Sequence, residues 1–142
     1  MAIRRYYATA DTTITNAYKA NLTTRGDDAN LGESDILEVF SIYAQADASS
    51  SESARILVKF PTPEAGPTGT KYYLKLFNAP HGETLPVNFT VEVVRLLVGW
   101  DEGTGLDMEE YSDVGALAAT GAGATWNHAS QGSGWNAAGA SD

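Results

Sequence analysis

Short β-rich runs separated by turn-formers constrain this chain more than any other feature. No long segment places apolar residues at i, i+3, i+4 and i+7, so helices have little to build on. Residues 54–60 (ARILVKF) alternate, with Ile56, Val58 and Phe60 opposing Arg55, Leu57 and Lys59. Residues 71–77 (KYYLKLF) alternate too, with Tyr72, Leu74 and Leu76 opposing Lys71, Tyr73 and Lys75. This period of two is that of a half-buried strand. Residues 36–44 (ILEVFSIYA) are apolar on both faces, which predicts a strand covered on each side. Residues 3–9, 12–15 and 89–98 complete the expected strands.

The intervening stretches carry the residues of turns. Residues 21–34 hold Gly26, Gly32, Asp27, Asp28 and Asn30, and residues 61–69 hold Pro61, Pro63, Gly66, Pro67 and Gly69. Residues 45–53 are a Ser/Ala-rich loop and residues 78–88 a loop around Pro80, Gly82 and Pro86. The predicted fold class is all-β, an antiparallel β-sandwich of jelly-roll type. Val58, Phe60, Leu74 and Leu76 are expected between its sheets. The strands stop near Val98, short of the eight or so of a complete jelly roll. The expectation is therefore an incomplete sandwich, continued in a longer polypeptide or closed by a partner chain, since open edges are normally covered. Residues 1–114 are assigned to the sandwich. Residues 115–142, rich in Ala, Gly and Ser, are assigned to an extended and mostly irregular tail. Met108 to Tyr111 are expected to form at most a helical turn.

The 142 residues suit one domain. There are no cysteines, which removes disulfides and thiolate-metal sites. No apolar run approaches the roughly 20 residues of a membrane span. The start, MAIRRYYATA, lacks an apolar h-region and does not read as a secretory signal. Charge is unevenly spread. The first hundred residues hold nine Lys/Arg and eleven Asp/Glu, whereas residues 101–142 hold seven Asp/Glu and no Lys or Arg. Such a negative tail repels phosphate backbones, so neither nucleic acid nor membrane is an expected partner.

Three groups of residues carry a resemblance. The first is Ala10, Asp11, Thr12, Thr13 and Ile14, followed by Asn30, Leu31, Gly32, Glu33 and Ser34. The second is RILVKF at residues 55–60. The third runs from Val93 to Trp100, Asp101 and Glu102, with Thr125, Trp126 and Asn127 downstream. Their order resembles the DNRLRE-type β-sandwich modules, which are related to carbohydrate-binding modules and occur on cell-surface, secreted and phage proteins. Longer strings, among them IRRYYATADTTITNAYKANLTTRG and GWDEGTGLDMEEY, are similar to virion structural proteins of marine tailed phages. The resemblance spans residue 3 to about residue 135. It departs in two places: the spacing from Trp100 to Trp126 is longer than in the family, and the family's closing strands are not evident. It implies a virion location, other virion proteins and further copies of the chain as partners, and action by assembly and surface presentation. The competing expectation is a carbohydrate-binding module or adhesin that touches a host-surface glycan.

Catalytic chemistry finds little support. His81 and His128 read as exposed loop residues, and no nucleophile elbow or phosphate-cradling loop is present. The acids of residues 101–113 read more readily as solvated charge than as a glycosidase pair. The expectation is no enzymatic activity. Asp101, Glu102 and Asp107 are candidate calcium ligands, because Ca²⁺ gathers carboxylate and carbonyl oxygens. Residues 27–33 are a second candidate calcium loop, and neither stretch matches the EF-hand pattern. Trp126 and Trp135, amid small residues, are candidate anchors in the core or an interface, or platforms for a sugar ring. Tyr111 is a further binding candidate, and Trp100 is expected in the core or as a cap. Arg4 and Arg5 are expected to meet an acidic loop of a neighbouring chain.

Overall fold

The computed structural model describes residues 3–80, 89–106, 108, 123–130 and 132–141. The described residues form five strands and no helix: β1 (Ala10–Thr15), β2 (Phe40–Tyr43), β3 (Ser51–Lys59), β4 (His128–Ser130) and β5 (Ser133–Gly134). All pairing is antiparallel, so the all-β expectation holds.

β3 is the central strand of a sheet ordered β1-β3-β2. Its β-branched and alternating residues suit a strand flanked on both edges. Thr12 lies opposite Leu57 and Ile14 opposite Arg55, while Phe40 and Thr15 share Ala54 as partner. The loop from β2 to β3 is shaped by its own polar groups. Asp47 accepts from the Ser49 backbone N–H (2.7 Å) and hydroxyl (2.6 Å), and the Ser50 hydroxyl oxygen accepts from the Ala46 and Asp47 amides. β4 and β5 form a short hairpin whose turn places Gly132 at a φ of +71°, a conformation that favours glycine.

Side chains alternate across a strand, so Thr12, Ile14, Arg55 and Leu57 share one face of the sheet. That face carries the apolar core: Ile14 and Leu57 pack with Ala124, Ala129 and Trp135, and Leu96, Val98, Trp100, Trp126 and Ala140 pack around them. Burying Ile14 and Leu57 contributes about 1.5–3 kcal/mol each. The opposite face is buried by polar groups. Thr13 accepts from the Glu38 amide (2.9 Å), and Thr15 donates to the Ser53 carbonyl (3.0 Å) and accepts from the Ala17 amide (3.1 Å).

Several expectations are corrected. The alternation of residues 54–60 is present, but the core takes the Leu57 side. Phe60 is 42% exposed, Leu74 48% and Leu76 58%, and Val58 is half-buried. These four side chains do not form a layer between two sheets. Residues 3–9 are exposed and extend the ladder only by the Thr9 amide, which donates to the Lys59 carbonyl (2.8 Å). Of residues 36–44 only four pair, and Ile36 and Val39 are exposed. Residues 71–77 and 89–98 form no ladder. The tail, read as irregular, contains the β4–β5 hairpin and supplies Ala124, Ala129 and Trp135 to the core. The expected division between residues 114 and 115, and the turn near Met108 to Tyr111, fall largely outside the described residues.

Candidate functional site

The most connected side chain is Asn30, which is fully buried in the turn-rich stretch after β1. Its amide nitrogen donates to the Glu102 and Ala124 carbonyls, both at 2.8 Å. Its amide oxygen accepts from the Gly105 amide (2.8 Å) and the Gly32 amide (3.3 Å). Both donors and both lone pairs of the side chain are used. Three distant stretches, 30–33, 101–105 and 123–125, are tied at this point. Backbones approach closely here: a Cβ on Gly32 would lie 2.1 Å from the Glu102 carbonyl oxygen, and one on Gly123 would lie 2.3 Å from that of Asp101.

Around this knot the other motif residues are also structural. The Glu102 carboxylate accepts from the Asp11 amide (2.7 Å) at the start of β1. Asp101 donates its amide to the Ala129 carbonyl (3.1 Å) and accepts from the Ala124 amide (2.6 Å). The Thr125 hydroxyl oxygen accepts from the Asn127 and His128 amides, and its carbonyl accepts the Trp135 indole N–H (2.8 Å). Asp11, Asn30, Gly32, Glu102 and Thr125, quoted above as separate short motifs, thus converge on one spot.

The candidate calcium ligands do not assemble there. Glu102 faces the Asp11 amide, Asp107 lies outside the described residues, and no group of three or more His, Asp or Glu with metal-binding geometry occurs among the described residues. In the second candidate loop, Asn30 points inward and Asp28 is engaged with the C-terminal hairpin. Asp28 accepts from the Asn127 amide group (2.9 Å) and lies 3.7 Å from His128 Nδ1. His128 is therefore not a loop residue: it opens β4, half-buried, with Nδ1 shielded from solvent and making no hydrogen bond. His81 lies outside the described residues.

Trp135 is buried, with its N–H satisfied, and acts as a core anchor with no surface for a sugar ring. Trp126 is half-buried: the Arg55 guanidinium sits 5.2 Å from its ring, and Gly139 packs so closely that a Cβ there would come within 2.7 Å of it. Arg55 also donates to the Gly139 carbonyl and the Ser141 hydroxyl, strapping the C-terminal segment to β3. Trp100 packs against the core as expected. Tyr111 lies outside the described residues. Arg4 pairs with Glu64 of its own chain, and this bond raises the Arg4 pKa above its ordinary value. Arg4 is thus engaged within the chain, while Arg5 is exposed.

A second polar cluster gave no sequence signal. Glu52 is buried on β3, accepting from the Tyr18 amide (2.9 Å), and the Gln45 amide nitrogen, turned toward it, lies 3.1 Å from both carboxylate oxygens. Beside it, Arg25 donates to the Asn16 and Ser51 carbonyls and lies 4.2 Å over the Tyr18 ring. These contacts pin the loop after β1 to the sheet.

Much of the exposed apolar material lies in residues 71–77 and 89–98. Tyr73, Phe77, Val93 and Leu97 are each at least 74% exposed. In the second stretch Leu96 and Val98 turn toward the core and Leu97 turns outward, while Val91, Val93 and Val94 are all exposed. Among the described residues, no backbone hydrogen bond involves a backbone group of either stretch. No described helix is long and apolar enough to cross a membrane.

No family model matches the chain, and no curated protein and no solved structure shows significant similarity to it.

Proposed function

We propose that this chain is a structural protein of a tailed-phage virion, a capsid, neck or tail component acting by assembly and surface presentation and not by catalysis. The observation that carries the reading is the pair of exposed apolar stretches, 71–77 and 89–98, whose backbone groups have no ladder partner among the described residues. Exposed apolar surface of this kind marks an interaction site, and unpaired extended backbone is a template for pairing with another chain. The hydrogen-bonded knot around Asn30 suits a scaffold, because its polar groups are spent on holding segments together. The phage assignment rests on the similarity of the longer strings quoted above to virion structural proteins.

Mass spectrometry of purified particles, with immunogold labelling, tests this reading. The expected result is the chain present in multiple copies per particle, with label at one position on the virion. Its absence from purified particles, with the protein recovered only free in the lysate, overturns the proposal.

A further inference from the structure

His128 and Asp28 meet where the loop after β1 touches the C-terminal hairpin, and both backbones are fixed there. Asp28 is followed by Ala29 and Asn30, which are fully buried. The His128 amide donates to the Thr125 hydroxyl oxygen (3.1 Å), its carbonyl accepts from the Thr125 amide (2.8 Å), and Ala129 beside it is buried. Between the two side chains one bond is missing. Asp28 Oδ1 accepts from the Asn127 side-chain amide at 2.9 Å but lies 3.7 Å from His128 Nδ1, beyond hydrogen-bond length. Nδ1 is shielded from solvent and has no other partner among the described residues. A neutral imidazole donates from one ring nitrogen only, whereas the charged form donates from both. A proton on Nδ1 would satisfy it against the carboxylate, after a movement of under about 1 Å. Other charges on the surrounding elements do not compete for it. Residues 132–141 carry none. The loop adds Asp27, and residues 101–105 add Asp101 and Glu102, all acidic, with Glu102 engaged by the Asp11 amide. The cations Arg25 and Arg55 are held elsewhere, by the Asn16 and Ser51 carbonyls and by Gly139 and Ser141.

We infer that His128 and Asp28 form an acid-closed clasp: with Nδ1 protonated, the charged imidazole donates to Asp28 and ties the loop that carries Asn30 to the hairpin that covers the core. This stands apart from the virion reading. The unfolded chain lacks the contact, so the clasp adds stability where imidazole is charged, below its ordinary range of about pH 6.5. That stability is lost as pH rises through this range. Carboxylates ordinarily titrate at about pH 4, below the window in which the clasp closes. Both side chains are partly exposed, so the effect is small and weakens with salt.

The test is thermal melting of the full chain at low salt, at about pH 5 and about pH 8, on either side of the imidazole range. The parent is compared with His128→Gln, Asp28→Asn and the double variant. Asp28→Asn keeps an oxygen that accepts from Asn127 and removes only the charge. At the lower pH each single variant should melt about 1–4 °C below the parent, and the second substitution should cost little once the first is made. At the higher pH this coupling should vanish. His81→Gln, which changes the other histidine, should leave the coupling as it is in the parent. Ring-nitrogen NMR gives a readout that does not depend on stability. A His128 Nδ1–H resonance protected from exchange is expected in the parent at the lower pH and is expected to be lost in Asp28→Asn. A coupling that is equal at both pH values, or larger at the higher one, overturns the inference, as does an Nδ1–H unchanged in Asp28→Asn. If a variant fails to fold, the parent's ring spectra decide. Nδ1 must then gain a protected proton on acidification, and an Nδ1 that stays unprotonated or exchanges freely overturns the clasp.

Discussion

Asn30 illustrates how one residue holds this molecule together. Each of its four polar contacts reaches a backbone group, and two of the three segments it joins lie more than seventy residues away. Asn30→Ala leaves those buried groups without partners, each costing about 1–3 kcal/mol. The expected loss is about 3–5 kcal/mol in urea denaturation, as for the break-up of a buried network; a loss under about 1 kcal/mol, typical of a surface change, would contradict the knot's role. Asp47 supplies a pH-dependent contribution. Hydrogen bonds from the Ser49 hydroxyl and amide lower its pKa below the ordinary value. A carboxyl with a depressed folded pKa stabilises above its unfolded pKa, and that contribution disappears as pH falls through the folded value. Removing it in Asp47→Asn should therefore narrow the stability difference between the variant and the parent in strong acid, read by denaturation at a series of pH values. A difference that widens on acidification would contradict the assignment.

At the scale of elements, β3 was legible in the sequence but its buried side was not. Alternation in residues 54–60 gives two faces; which one is buried depends on what lies over it. Here the cover is the C-terminal hairpin and Trp135, in a stretch whose Ala, Gly and Ser content reads as irregular chain. Leu57→Ala is accordingly expected to cost about 2–5 kcal/mol, whereas Phe60→Ala, at an exposed position, should cost under about 1 kcal/mol. Thermal melts of the two variants check the order, and the reverse order would place the core on the wrong face. Residues 71–77 and 89–98 show the opposite difficulty. The alternation of the first and the β-branched, apolar content of the second are strand signals, yet strand formation needs a ladder partner, and the described residues provide none. The candidate site was legible only as scattered motifs. Asp11, Asn30, Gly32, Glu102 and Thr125 are identifiable one by one, but a buried asparagine in a turn-rich stretch looks like any loop asparagine until its distant partners are known.

For the molecule as a whole, the C-terminal segment closes the core against the first strand. Deleting residues 123–142 removes Trp135 and the Ala124 carbonyl that accepts from Asn30, and leaves Ile14 and Leu57 uncovered. The truncated chain is expected to lose its cooperative melting transition; a transition unchanged from the full chain would show that the segment is dispensable. The central claim is a small core, sealed by this segment, with its apolar strand-like stretches left for neighbours. Amide hydrogen exchange on dilute protein tests it most directly. The account predicts slow exchange in β1, β3 and around Trp135, with residues 71–77 exchanging fast. Slow exchange of residues 71–77 in the dilute monomer would contradict it.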